Sequence, residues 1–112
     1  MVYELTKSEK KVARAAIDKG IDAAFKEAME NFQTIVKDWQ DGKFSSNREA
    51  YHLLYKAVDT KDSAISRRYD GVTGGRYLQT VVGILQDGHI TEADIEGFSE
   101  KTKSVIKTWM SV

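Results

Sequence analysis

The side chains that could do chemistry are few and thinly spaced. Glu49-x-x-His52 sets a carboxylate and an imidazole on one helix face, the spacing by which di-iron bundles hold their metals. A site of that kind needs a second such pair and two further glutamates, and the other histidine, His89, falls in a predicted turn. One copy therefore reads first as a surface or interface pair. Asp87-Gly88-His89-Ile90-Thr91 has the aspartate, glycine, apolar order found in the middle of a calcium loop. The preceding ligand positions fall on Gly83 and Leu85, which supply no carboxylate, and a helix stop explains the same residues. Gly71-x-x-Gly74-Gly75 followed by Arg76 would offer backbone N–H groups to an anion. It lacks the Gly-Lys-Ser/Thr ending of a nucleotide loop, and glycine clusters mark turns first. Asp59 and Asp62 would make an acid pair, but Lys56, Lys61 and Arg67 are interspersed with them as on a solvated surface. No serine has a histidine and an acid at recognisable triad spacing. Tyr51, Tyr55, Tyr69, Phe32 and Trp39 suit a core or interface better than a stacking platform. Nothing in this set requires an enzyme, a metal or a cofactor.

Composition narrows the setting. The 112 residues fit one domain with a moderate core. Lys+Arg 17 against Asp+Glu 17 leaves no net charge, so electrostatics give no general case for nucleic acid or an anionic membrane. With no cysteine there are no disulfides, thiol nucleophiles or zinc–thiolate sites. The start, Met1 to Lys11, is polar and lysine-rich without a signal-peptide core, and no apolar run approaches the ~20 residues needed to span a bilayer. A soluble, cytoplasmic protein is expected. The absence of proline, with many Ala, Lys and Glu, favours helices.

The elements that must position these residues are read from periodicity. Ile17, Ile21, Ala24, Phe25, Ala28, Phe32, Ile35 and Trp39 step by three and four, which predicts one helix from about Ser8 to Trp39, capped by Thr6 or Ser8. Such a helix is about 48 Å long, against a radius of gyration of roughly 13 Å for a compact chain of this length. Part of its apolar seam is therefore expected to meet a second chain. Gly20 inside it costs ~1 kcal/mol relative to alanine, which the seam must offset. Gly42 ends it, and Ser46 with Glu49 forms a capping box for a second helix with the seam Tyr51, Leu54, Val58, Lys61, Ile65 and then Arg68 or Tyr69. Gly71, Gly74 and Gly75 break that helix. A short helix, Arg76 to Gln86, is apolar nearly all round and so sandwiched, and Gly88 stops it. The last helix opens with an Ile90–Ile95 staple and a Thr91–Asp94 capping box. The fold class is all-α, a single domain over 1–112. Two long helices form an antiparallel hairpin stem over about 8–69, and two shorter helices form a head over about 70–112, in a dimer.

Ile65-x-x-Arg68-Tyr69-Asp70, Leu85-Gln86-Asp87-Gly88-His89-Ile90 and Asp94-Ile95-x-x-Phe98-x-x-Lys101 together resemble the C-terminal half of the fluorescence recovery protein family. The likeness continues weakly backward through both long helices. It implies a small helical protein that dimerises through its long helices and uses no cofactor. In cyanobacteria such proteins bind the photoactivated orange carotenoid protein, a carotenoid-binding photoreceptor, and hasten its return to the resting form. The chain departs from the family on the second helix. Where the family shows Trp, then Asp and Arg, a gapless alignment puts His52, Lys56 and Asp62 here, with the two charges reversed. The loop after Asp70 is one residue longer.

The leading expectation is thus a non-catalytic homodimeric regulator that binds another protein, of this family or a relative with a changed partner. Pairing along the second helix would use Tyr51, Leu54, Tyr55, Val58, Asp62 and Ile65. Contact with the other protein would use His52 and Lys56, and in the head Tyr77, Asp87 and His89. Two rivals come from other classes: a helical metal protein or enzyme centred on Glu49 and His52, and a nucleic-acid-binding dimer using Lys7, Lys10, Lys11 and Arg14, which the balanced charge disfavours.

Overall fold

A computed structural model describes residues 3–111. Those residues form four α-helices and no strand: α1 (Lys7–Gln40), α2 (Asn47–Tyr69), α3 (Tyr77–Gln86) and α4 (Glu100–Met110), with 3₁₀ turns at Gly74–Arg76 and Glu92–Ile95. The chain extends 55 × 25 × 25 Å, with a radius of gyration of 17.8 Å. A compact chain of this length has about 13 Å, so the long dimension belongs to the two long helices.

Thr6 starts α1: its hydroxyl accepts from the Glu9 N–H while Glu9 Oε1 accepts from the Thr6 N–H, a reciprocal capping box. Gly42, at φ 73°, supplies the left-handed residue after α1, and Ser46 caps α2 by accepting from the Glu49 N–H. Contacts between α1 and α2 pair Trp39 Nε1 with Asn47 Oδ1 at 2.9 Å near the connecting turn, and Glu27 with Lys61 further along.

The core lies where α1 meets α3, α4 and the 3₁₀ segment before α4. Ala13, Ala16 and Ile17 of α1 pack there with Leu78, Val81, Ile84, Ile95, Phe98 and Ile106. Gly20 explains itself in this packing. A Cβ there would lie 2.6 Å from Ile84 Cγ2 and 2.9 Å from the Tyr69 hydroxyl, so the missing side chain lets α1 approach both α3 and the end of α2.

The last helix differs from the sequence expectation. The Thr91–Asp94 capping box forms, but it opens only a 3₁₀ turn at Glu92–Ile95. A fresh helix then begins at Glu100 behind the Ser99 cap. Two contacts account for the break: Val12 occupies the space a side chain at Gly97 would need, and Glu9 Oε2 accepts from both the backbone N–H and the hydroxyl of Ser99, 3.2 Å each. The third helix likewise starts one residue later than expected, because Gly74–Arg76 winds as 3₁₀. Among the described residues no helix is long and apolar enough to cross a membrane.

Candidate functional site

The most conspicuous surface is on the half of the long helices away from the core. Phe25, Met29, Val36 and Trp39 of α1 remain exposed, with Met29 at 64%. Their spacing of four, seven and three places them on one stripe. On α2, Tyr51 and Tyr55 are each 66% exposed and Val58 is exposed as well. Steps of four and three continue this second stripe through Asp62 to Ile65, half-buried, with Leu54 beside it. Near the connecting turn the stripes converge on a groove of ≈ 420 Å³ lined by Ile35, Val36 and Trp39 from one helix and Ala50, Tyr51 and Leu54 from the other. All six residues predicted for pairing therefore lie on or beside this stripe. On α1 the uncovered part of the seam expected from the sequence includes Phe25 and Trp39 but not the exposed Met29 and Val36, because periodicity identifies a seam without saying which flank stays open.

His52 and Lys56 are exposed and four residues apart, so they share a face of α2. Asp62, six beyond Lys56, is rotated off that face by about a third of a turn and joins the apolar stripe instead. The ring of His52 meets Tyr51 edge-on, with centroids 5.7 Å apart. The Glu49 carboxylate is engaged by the Ser45 hydroxyl at the helix start. No group of three or more His, Asp or Glu residues among those described could hold a metal ion.

The head residues separate. Tyr77 opens α3, where the Arg14 guanidinium lies 6.0 Å from its ring centroid. Asp87 and His89 follow the other end of α3, about 14 Å away. There they join a polar junction between head and long helices, around a hollow of ≈ 280 Å³. Arg68 Nη2 lies 2.9 Å from Asp87 Oδ2, and its guanidinium crosses the space a Gly83 side chain would fill. His89 Nε2 lies 2.8 Å from Glu27 Oε2, with Lys61 3.9 Å from the other oxygen. The His89 hydrogen bond holds the Glu27 carboxyl below its usual range against the opposing effect of burial, with lesser help from the charges of His89 and Lys61. Beside them the Tyr69 hydroxyl is buried without a hydrogen-bond partner, and burial pushes its pKa up.

Two carboxylates do more than the sequence reading assigns them: Glu9, which it does not single out, and Asp94, which it takes only as a helix cap. Burial of Glu9 works to raise its pKa, but hydrogen bonds involving Thr102, Ser99 and Thr6 outweigh this and lower it to about 2. Asp94 is lowered mainly by Lys19 at 2.7 Å, together with the Thr91 N–H. The Thr6–Glu9 spacing was the available sign for the first; nothing in the sequence pointed to Ser99 or Lys19. Both groups brace the head against α1. Comparisons with protein-family models, with curated proteins and with solved structures find no match to this chain.

Proposed function

We propose that the protein is a non-catalytic, homodimeric protein-binding regulator of the fluorescence recovery protein kind, acting in the cytoplasm. In this reading α1 and α2 are an antiparallel hairpin stem. Their two apolar stripes share one face of the hairpin, and the same face of a second copy covers them. Accessible area is the observation that carries the dimer. The chain exposes 7728 Å², whereas a compact monomer of 12.6 kDa exposes about 6,200 Å². The excess of about 1,500 Å² is ample for the ~800 Å² per partner of a standard interface. Tyrosine, tryptophan and phenylalanine on the stripe are residues that anchor such interfaces.

The regulatory role rests on the resemblance of the segment from Ile65 to Lys101. Its test is direct: the purified protein is mixed with photoactivated orange carotenoid protein and the dark reversion timed against buffer. Acceleration at near-stoichiometric amounts is expected. An unchanged rate, with a dimer present by light scattering, overturns the carotenoid-protein partner and leaves a helical adaptor whose partner is then sought by pull-down.

A further inference from the structure

The start of α1 is built against its own stability. Lys7, Lys10, Lys11 and Arg14 stand at spacings of three and four, so all four fall on one helix face. Each of the pairs 7–10, 7–11, 10–14 and 11–14 sets like charges side by side, an arrangement that disfavours a helix. Three of these cations also lie within the first turns, where the helix dipole favours acids. Glu9, the acid in that stretch, is turned inward to Ser99 and does not relieve them. None of the four makes an ion pair among the described residues, although ion pairs recur elsewhere in the chain.

The fold then adds to the cluster. The Lys10 side chain runs along the turn at Gly74, with Nζ 3.8 Å from where a Cβ would stand, which sets the 3₁₀ turn that ends in exposed Arg76 beside α1. Arg14 lies over the half-buried Tyr77 ring. Two segments far apart in sequence thus make one basic surface with an aromatic centre. Asp18, four residues past Arg14, bounds it on the side of the long helices. Five of the 17 Lys and Arg of a chain with no net charge stand here, none in an ion pair among the described residues, with Glu4 ahead of Lys7 as the acid at the other edge.

We propose that this surface, formed by Lys7, Lys10, Lys11, Arg14 and Arg76 around Tyr77, docks an acidic segment of a partner protein. The helical cations span only about 10 Å, from Lys7 to Arg14. That length suits three or four carboxylates on a short peptide. A nucleic acid would run on past the patch, over the acidic remainder of a neutral molecule, with little further neutralisation of phosphate. Like charges held together without partners are expected where an opposite charge is to arrive from outside. The proposal shares with the regulatory reading only the premise that the chain binds protein. It needs neither a carotenoid partner nor the dimer.

The test uses the whole chain and a fluorescein-labelled peptide of eight glutamates, with binding followed by anisotropy at low salt. Saturable binding that weakens as salt rises is expected, and the double variant K10E/R14E should weaken it at least tenfold. A single-stranded oligonucleotide and anionic lipid vesicles are the comparison probes. Tighter binding of either overturns the choice of an acidic peptide, and no saturable binding of the peptide overturns the surface altogether. The same variant gives an independent reading, because replacing two of the crowded cations with acids should raise the melting temperature. A lower melting temperature means the cations support the fold and also sinks the proposal. A chain that accelerates reversion of the carotenoid protein yet ignores the peptide would retire this surface and leave the regulatory reading standing.

Discussion

Gly20→Ala should destabilise the protein although alanine is the better helix former. In an exposed helix interior the exchange gains about 1 kcal/mol. Here the new methyl would stand 2.6 Å from Ile84 Cγ2 and 3.2 Å from its Cδ1, both inside ordinary contact distance. Ile84 is fully buried, at 0% exposed, and has nowhere to retreat. Overpacking of this kind costs about 1–3 kcal/mol, and a contact this short belongs in the upper half of that range. The net expectation is a loss of about 1–2 kcal/mol. The decisive measurement repeats the exchange in an Ile84→Ala background, where the obstructing atoms are gone. That background itself costs about 2–5 kcal/mol through its cavity. Within it, Gly20→Ala recovers the helix-propensity gain, since the remaining neighbour is the Tyr69 hydroxyl at the far end of a ring. Urea unfolding followed by circular dichroism, at one protein concentration throughout, gives the four midpoints. The sign of the Gly20 effect should reverse between backgrounds, a coupling of about 2–3 kcal/mol. A stabilised single variant, or the same effect in both backgrounds, refutes the close approach of α1 and α3 as the reason for glycine.

Tyr55→Glu, at a side chain 66% exposed, should leave helix content unchanged while halving the mass seen in light scattering; an unchanged dimer mass would remove the stem face as the interface. Because Glu9 is lowered from 4.5 to about 2, the unfolded chain takes up its proton first as pH falls, so stability is complete above about pH 4.5 and drains away towards pH 2. Glu9→Gln should flatten that slope and cost about 2 kcal/mol near pH 7, from charge-assisted bonds lost at a buried site; urea midpoints at pH 7 and pH 3 check both. Gly83→Ala should push the Arg68 guanidinium off Asp87, and because both partners are 38% exposed the loss should stay below about 1 kcal/mol. A loss of several kcal/mol there would mean that the pair is a principal clamp between head and stem.

The helical elements were legible wherever a period and a cap coincided. The three-and-four spacing from Ile17 to Trp39 and the Ser46 cap located α1 and α2 to within a residue or so, although the expected Ser46–Glu49 box forms only by half, since the Glu49 carboxylate takes the Ser45 hydroxyl instead of the Ser46 N–H. The start of α4 was not, because its break depends on tertiary contacts: Val12 against Gly97, and Glu9 reaching Ser99 across 90 positions of sequence. A staple and capping box at Ile90–Ile95 are equally compatible with a 3₁₀ turn and with a continuing helix. The site residues divide in the same way. Tyr51, Tyr55, Val58 and Asp62 share a stripe that follows from spacing alone. That Tyr77 stands apart from Asp87 and His89 follows from the length of α3, while the pairing of His89 with Glu27 follows from packing and has no local signal.

The distribution of side-chain sizes in α1 bears separately on the proposed dimer. Its buried residues are Glu9, Ala13, Ala16, Ile17, Gly20, Ala24 and Ala28, mostly small, while Phe25, Met29 and Trp39 stay outside. Burying a large apolar side chain yields about 1.5–3 kcal/mol and an alanine far less, so these exposed residues are the ones a covering surface would reward most. Small residues inside serve another end, letting α1 approach the head closely, as Gly20 does against Ile84. The large residues outside then lie on a helix whose first half the head braces through Ala13, Ala16 and Ile17. Rigid presentation of such anchors lowers the ordering cost of association. Asp62, set within the stripe, adds selectivity, because covering it without a counter-charge is penalised and most non-cognate surfaces would leave it unpaired. In the proposed dimer a second copy seated on this face would have to bring a donor or a cation to Asp62, and that demand would fix its register more narrowly than the apolar contacts do.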